Sequence, residues 1–127
     1  MKDNRRNLEP LYDAFGELIY VLAMADGVIQ EEEITALEHI LKTHPWSAEI
    51  QWSFNFERKK NNSIEAVYNK LIDICKFMGP HEEYECMIEV MTYVAKASEG
   101  IDAKEQKVID DFRKDLLTKF RQDLENI

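Results

Sequence analysis

Apolar residues recur three and four apart through almost the whole of this chain, and that spacing restricts it to helices. Leu8, Leu11, Tyr12, Phe15, Leu18, Ile19 and Leu22 mark one helical face over 8–25, with Asn7 placed to cap it. Gly27 breaks the pattern, and Ile34, Leu37, Ile40 and Leu41 restart it until Pro45 ends it. Trp46, Ile50 and Phe54 fall four apart, as do Trp52 and Phe56, which predicts a short helix with apolar groups on two faces. Asn61-Asn62-Ser63 is a polar break whose serine can cap the next helix. Ile64, Val67, Tyr68, Leu71, Ile74, Cys75 and Met78 then repeat the first spacing, closed by Gly79-Pro80. Tyr84, Met87, Ile88, Met91, Val94 and Ala95 mark another helix, and Val108, Ile109, Phe112, Leu116, Phe120 and Leu124 a last long one. No stretch sustains period-two alternation, so the expected fold is all-α, a single bundle of about five to seven helices.

Two turns in this pattern echo each other. Ala25 to Glu33 and Ala97 to Glu105 align at an offset of 72, and identities at Tyr12/Tyr84, Glu17/Glu89, Ala23/Ala95, Ile29/Ile101 and Glu33/Glu105 extend the match. This reads as an internal duplication of a helix-turn-helix unit. Repeat one covers about 8–44 and repeat two about 80–126, with linking helices over 46–79.

A chain of 127 residues, 45% hydrophobic, suits one domain over 1–127 and one core. Its formal charge of -9 repels phosphate backbones and anionic lipid, so neither nucleic-acid binding nor membrane insertion is expected. Arg58-Lys59-Lys60 is the one basic cluster, and it reads more simply as cations at a helix C-terminus. The longest apolar run, Leu18 to Ala25, is eight residues, far short of the roughly 20 needed to cross a bilayer. No signal-type apolar run follows Met1, and a cytoplasmic location is expected. Cys75 and Cys86 fit no CxxC or zinc spacing and read as small core residues.

The first turn carries the chemistry worth testing. Asp26-Gly27-x-Ile29-x-x-x-Glu33 matches the second half of a calcium-binding EF-hand loop, but Leu22 and Met24 stand where its first and third oxygen ligands belong. A full calcium site is therefore excluded. A weaker divalent cation, held by Asp26 and Glu33 with waters, is the one cofactor the turn can accommodate. Against it stands helix capping: a glutamate at the third helical position reaches back to an unpaired N–H, and Asp102 to Glu105 has the form of a capping box. Glu33 and Glu105 persist in both copies while Asp26-Gly27 becomes Ser98-Glu99, so capping explains the glutamates and any metal belongs to the first copy alone.

Elsewhere, catalysis finds no support. His39, His44 and His81 are scattered and read as surface or helix-terminal residues, and no nucleophile motif or phosphate-cradling loop is present. A hydrolase would need Glu17, Asp26 and Glu89 to meet in a cleft. The helically spaced methionines and the aromatic stripe read as core rather than as a soft-metal or stacking site. The chain is expected not to be an enzyme.

Ala23-Met24-Ala25-Asp26-Gly27-Val28-Ile29-Gln30-Glu31-Glu32-Glu33, with its degenerate echo at Ala95 to Glu105, resembles the TerB-like family of tellurite-resistance proteins and related all-helical domains. That family pattern is a helix ending in an alanine-rich A-D-G turn, followed by a helix opening with glutamate. The resemblance implies a non-catalytic protein of tellurite resistance or general stress response, with a protein partner and weak divalent binding at Asp26 and Glu33. The alternative is a structural interaction module with an acidic surface and no metal site.

Overall fold

The computed structural model describes residues 4–25, 27–78, 83–97 and 101–125, with side chains placed between 8 and 116 of those ranges. Six helices account for them: α1 (Asn4–Ala23), α2 (Glu31–Ile40), α3 (Ser47–Lys60), α4 (Ile64–Met78), α5 (Glu83–Ala95) and α6 (Ala103–Glu125). No strand occurs among the described residues, so the fold is the expected all-α bundle.

The centre of the bundle is α1, which packs against α3, α4, α5 and α6. From Leu18 to Ala23 every side chain is buried, so this half of the helix is apolar all round, as a helix enclosed by others must be. Hydrogen bonds from hydroxyl groups tie separate segments of the bundle together. Ser53 Oγ donates to the Asp13 carbonyl at 2.6 Å, and Tyr20 Oη donates to the Asn62 carbonyl at 2.8 Å. Tyr84 Oη donates to the Cys75 carbonyl at 2.9 Å, and Tyr68 Oη to Asp115 Oδ2 at 2.6 Å.

Several boundaries differ from those the periodicity suggests. Helix α1 begins at Asn4, so Asn7 lies inside it rather than at its cap. Apolar spacing shows only where a helix meets the core, and a polar lead-in turn leaves no such mark. Pro10 sits within α1, its missing N–H removing one bond to the preceding turn. Helix α2 stops at Ile40, before Pro45, because the chain turns at Leu41 to bring His44 and Trp46 back onto α1. Gly27 marks the break after α1 with φ of +95°, and a Cβ there would meet open space, so backbone conformation alone selects glycine. At the far end of α3, Arg58, Lys59 and Lys60 occupy the last turn as the dipole favours. Asn61 then closes the helix in the left-handed conformation with φ of 53°, and Ser63 Oγ accepts the Ala66 N–H at 3.4 Å. Gly79-Pro80 and His81 lie outside the described residues.

Candidate functional site

Glu33 is the third residue of α2 and only 2% exposed. Its Oε1 accepts the Gln30 backbone N–H at 2.9 Å. Glu105 does the same for α6, accepting the Asp102 N–H at 3.3 Å while Asp102 Oδ1 accepts the Glu105 N–H at 2.7 Å. Both glutamates therefore cap helices, as the paired turns suggest. Asp26 lies outside the described residues. Leu22 is fully buried and Met24 packs against the core, so the missing half of the calcium loop is taken up by packing. Glu17 pairs with Lys70 of α4, and Glu89 is exposed on α5.

Glu17 is instead part of a cluster that periodicity does not reveal. It is 4% exposed, and its Oε2 lies 2.5 Å from Lys70 Nζ on α4. Lys70 also reaches Glu57 Oε1 on α3 at 3.6 Å, and Glu57, 1% exposed, accepts from Asn62 Nδ2 at 3.1 Å. One ammonium on α4 thus joins two buried carboxylates, one from α1 and one from α3. Burial holds the Glu17 carboxyl above its ordinary value, and the hydrogen bond from Lys70 only partly offsets this. Burial alone would lower Lys70, but its bond to Glu17 and the charges of Glu17 and Glu57 outweigh it and hold the ammonium charged.

The same three helices bound a groove. Its lining includes Pro10 and Asp13 of α1, Trp52 and Phe56 of α3, and Ile74 of α4. Trp52 is 63% and Phe56 42% exposed, their rings stacked at 5.3 Å between centroids. This corrects the expectation that the aromatic stripe is core: Ile50 and Phe54 are buried, while Trp52 and Phe56 face solvent. A helix at the edge of a small bundle has only one face to bury. Apolar positions on two faces of α3 were the available signal.

His44 departs from expectation in the opposite sense. Its side chain is 12% exposed, set edge-on to Tyr12 and Phe15. With Glu83 and Cys86 it forms a trio whose ligand atoms lie within 4.8 Å of one another. His44 Nδ1 accepts the Trp46 N–H at 2.9 Å, which assigns the ring proton to Nε2, 3.3 Å from Glu83 Oε2. Burial, reinforced by Glu83, pushes the Cys86 thiol up to about 11. Two of the three ligands thus carry protons, and a cation would require turning the His44 ring out of its bond to Trp46. The trio is a cross-link between the 41–46 turn and α5.

The chain matches no curated protein and no solved structure. Among the described residues, no helix is long and apolar enough to cross a membrane. The profile of one family, described as Tellurite resistance protein TerB, matches residues 13–119, which span α1 from Asp13 through most of α6 and include both capped turns. With its central α1, its A-D-G turn and the glutamate-capped α2, this chain belongs to the TerB family.

Proposed function

We propose that this TerB-family chain is a non-catalytic cytoplasmic binding module of tellurite resistance or general stress response, and that it acts through a protein partner. The observation that supports the reading is how its buried carboxylates are used. Glu33 and Glu105 cap helices, and Glu17 and Glu57 share Lys70, so each holds the scaffold together. On this scaffold two large rings face solvent on an acidic surface. Such exposure suits association better than turnover. A divalent cation at Asp26 and Glu33 would have to share Glu33 with the α2 cap, so cation binding takes second place in this reading.

Removing the gene and challenging cells with tellurite, peroxide and heat tests it. Lowered tolerance, restored by the wild-type chain, is the expected result. Unchanged tolerance under every challenge would refute the stress assignment.

A further inference from the structure

Trp52 and Phe56 stand out from a helix whose opposite side, Ile50 and Phe54, is already in the core. Both rings line the groove, and Trp52 is common to its two hollows, one of about 370 Å³ reaching past Pro10, Phe56 and Ile74 to Lys70, the other of about 420 Å³ between Glu9, Asp13, Ala48 and Glu49. The first is mostly apolar; at its inner end Glu17 and Glu57 share the single ammonium of Lys70, and Glu9 and Asp13 line it as well as the second. The second is lined by three carboxylates, and no basic residue lines it among the described residues.

The two hollows set complementary requirements on one occupant. The acidic hollow asks for a cation, and Asp13 registers the deficit: burial raises its carboxyl, the charges of Glu9 and then Glu49 raise it further, and Lys70 offsets this only in part. The wall of that hollow is an indole, whose face attracts cations. A guanidinium satisfies both demands, since it can lie flat on the ring and donate from its edge to carboxylates, whereas an ammonium is a point charge that can serve one at a time. The aromatic pair already takes a cation of its own, with Lys60 Nζ 5.7 Å from the Phe56 centroid. Past Trp52, the apolar hollow has room for an aliphatic side chain two or three positions along the same segment.

We propose that the groove between α1, α3 and α4 docks an arginine-bearing segment of a partner protein, the guanidinium stacking on Trp52 between Glu9, Asp13 and Glu49. This names the partner chemistry for the binding role proposed above, and it rests on that reading. Nucleic acid is excluded as the occupant by the sign of the groove's charge.

The test titrates the full chain with a blocked hexapeptide, Ala-Leu-Ala-Arg-Ala-Ala, following backbone amide and Trp indole N–H shifts by NMR. Lysine, norleucine and glutamate versions of the peptide serve as comparisons. Saturable shifts confined to the groove, strongest for arginine and weakened by salt, are expected. Loss of a cation–π contact at an exposed site corresponds to about two- to fivefold in affinity, so Trp52→Ala should weaken binding by at least that factor. Glu49→Gln, which keeps size and removes charge, should weaken the arginine peptide and leave the norleucine peptide unchanged. Equal binding of arginine and norleucine peptides, shifts spread over the whole acidic surface, or indifference to both substitutions would each overturn the proposal. A double variant combining Trp52→Ala with Glu49→Gln is also returned to cells. If it restores tolerance as well as the wild type does, the groove proposal falls and the stress reading stands. If neither chain alters tolerance while peptide binding stays Trp52-dependent, the stress reading falls and the groove proposal stands.

Discussion

Gly16 gives the sharpest test of how α1 is seated, because two ordinary expectations for Gly16→Ala have opposite signs. Alanine is the better helix former by about 1 kcal/mol, so a substitution judged on propensity alone should stabilise. The structure says otherwise. A Cβ at Gly16 would sit 2.7 Å from Ser53 Cβ and 2.9 Å from the Phe54 nitrogen, and would overlap the Ile50 carbonyl oxygen. Two of these three are backbone atoms of α3 and cannot rotate aside. The helices must separate, which loosens packing along their whole contact and stretches the 2.6 Å bond from Ser53 to the Asp13 carbonyl. Overpacking costs about 1–3 kcal/mol, and a clash with backbone that cannot rotate aside belongs in the upper part of that range, about 2–3 kcal/mol, so after the propensity gain of about 1 kcal/mol a net loss of about 1–2 kcal/mol remains. For a chain of this size that lowers the melting temperature by roughly 3–8 °C. Thermal unfolding followed by circular dichroism at helical wavelengths reads the shift directly. A melting temperature equal to or above the wild type's would show that α1 and α3 are not in backbone contact at Gly16.

Glu33→Ala and Glu105→Ala should each destabilise by about 1 kcal/mol in urea titrations, since each removes a helix cap; a wild-type stability that rises with added magnesium or calcium, and does so no longer in Glu33→Ala, would mean that Glu33 serves a cation. Glu17→Gln tests the buried carboxyl through its pH dependence. Because burial holds the folded-state value above the ordinary 4.5, the folded protein keeps that proton longer than the unfolded chain does, and wild-type stability falls as pH rises through the window above 4.5. The glutamine variant does not titrate, so its stability relative to wild type should grow across that window and be flat below it; a difference that shrinks as pH rises would contradict the assignment. Cys75, fully buried and pushed up to about 12, should react with a thiol reagent only on unfolding, whereas Cys86, at about 11, should react slowly from the folded state near pH 8; fast labelling of Cys75 in the native protein would contradict its burial. Gly27→Ala should lose about 1 kcal/mol by strain at positive φ, although nothing lies near the added methyl group; urea titration of the variant checks this, and an unchanged midpoint would contradict it.

Much of this architecture is written in local spacing, and the places where spacing misleads share one physical cause. Periodicity reports which residues of a helix can face a core, and for α1, α4, α5 and α6 there is a core on that side. The capping glutamates were legible for a similar reason: a cap joins residues three apart, and Gln30–Glu33 and Asp102–Glu105 are complete within one turn. What spacing cannot carry is a contact between distant segments. Lys70 meets Glu17 and Glu57 only because α3 and α4 both lie against α1, and no single helix contains that arrangement.

His44 and Trp52 show the same limit from opposite sides. A polar ring was expected at the surface and is enclosed, because the turn after α2 folds it onto Tyr12 and Phe15. A large indole was expected in the core and is exposed, because the other face of α3 meets α1 first. Gly16 explains why that face wins: it lets the α3 backbone come against α1 along the line of Ile50, Ser53 and Phe54. Once that contact is made, Trp52 and Phe56, lying off that line on the same helix, can only look outward. An isolated glycine inside a helical pattern is a signal of close approach, and here it decides which aromatic residues are left for a partner.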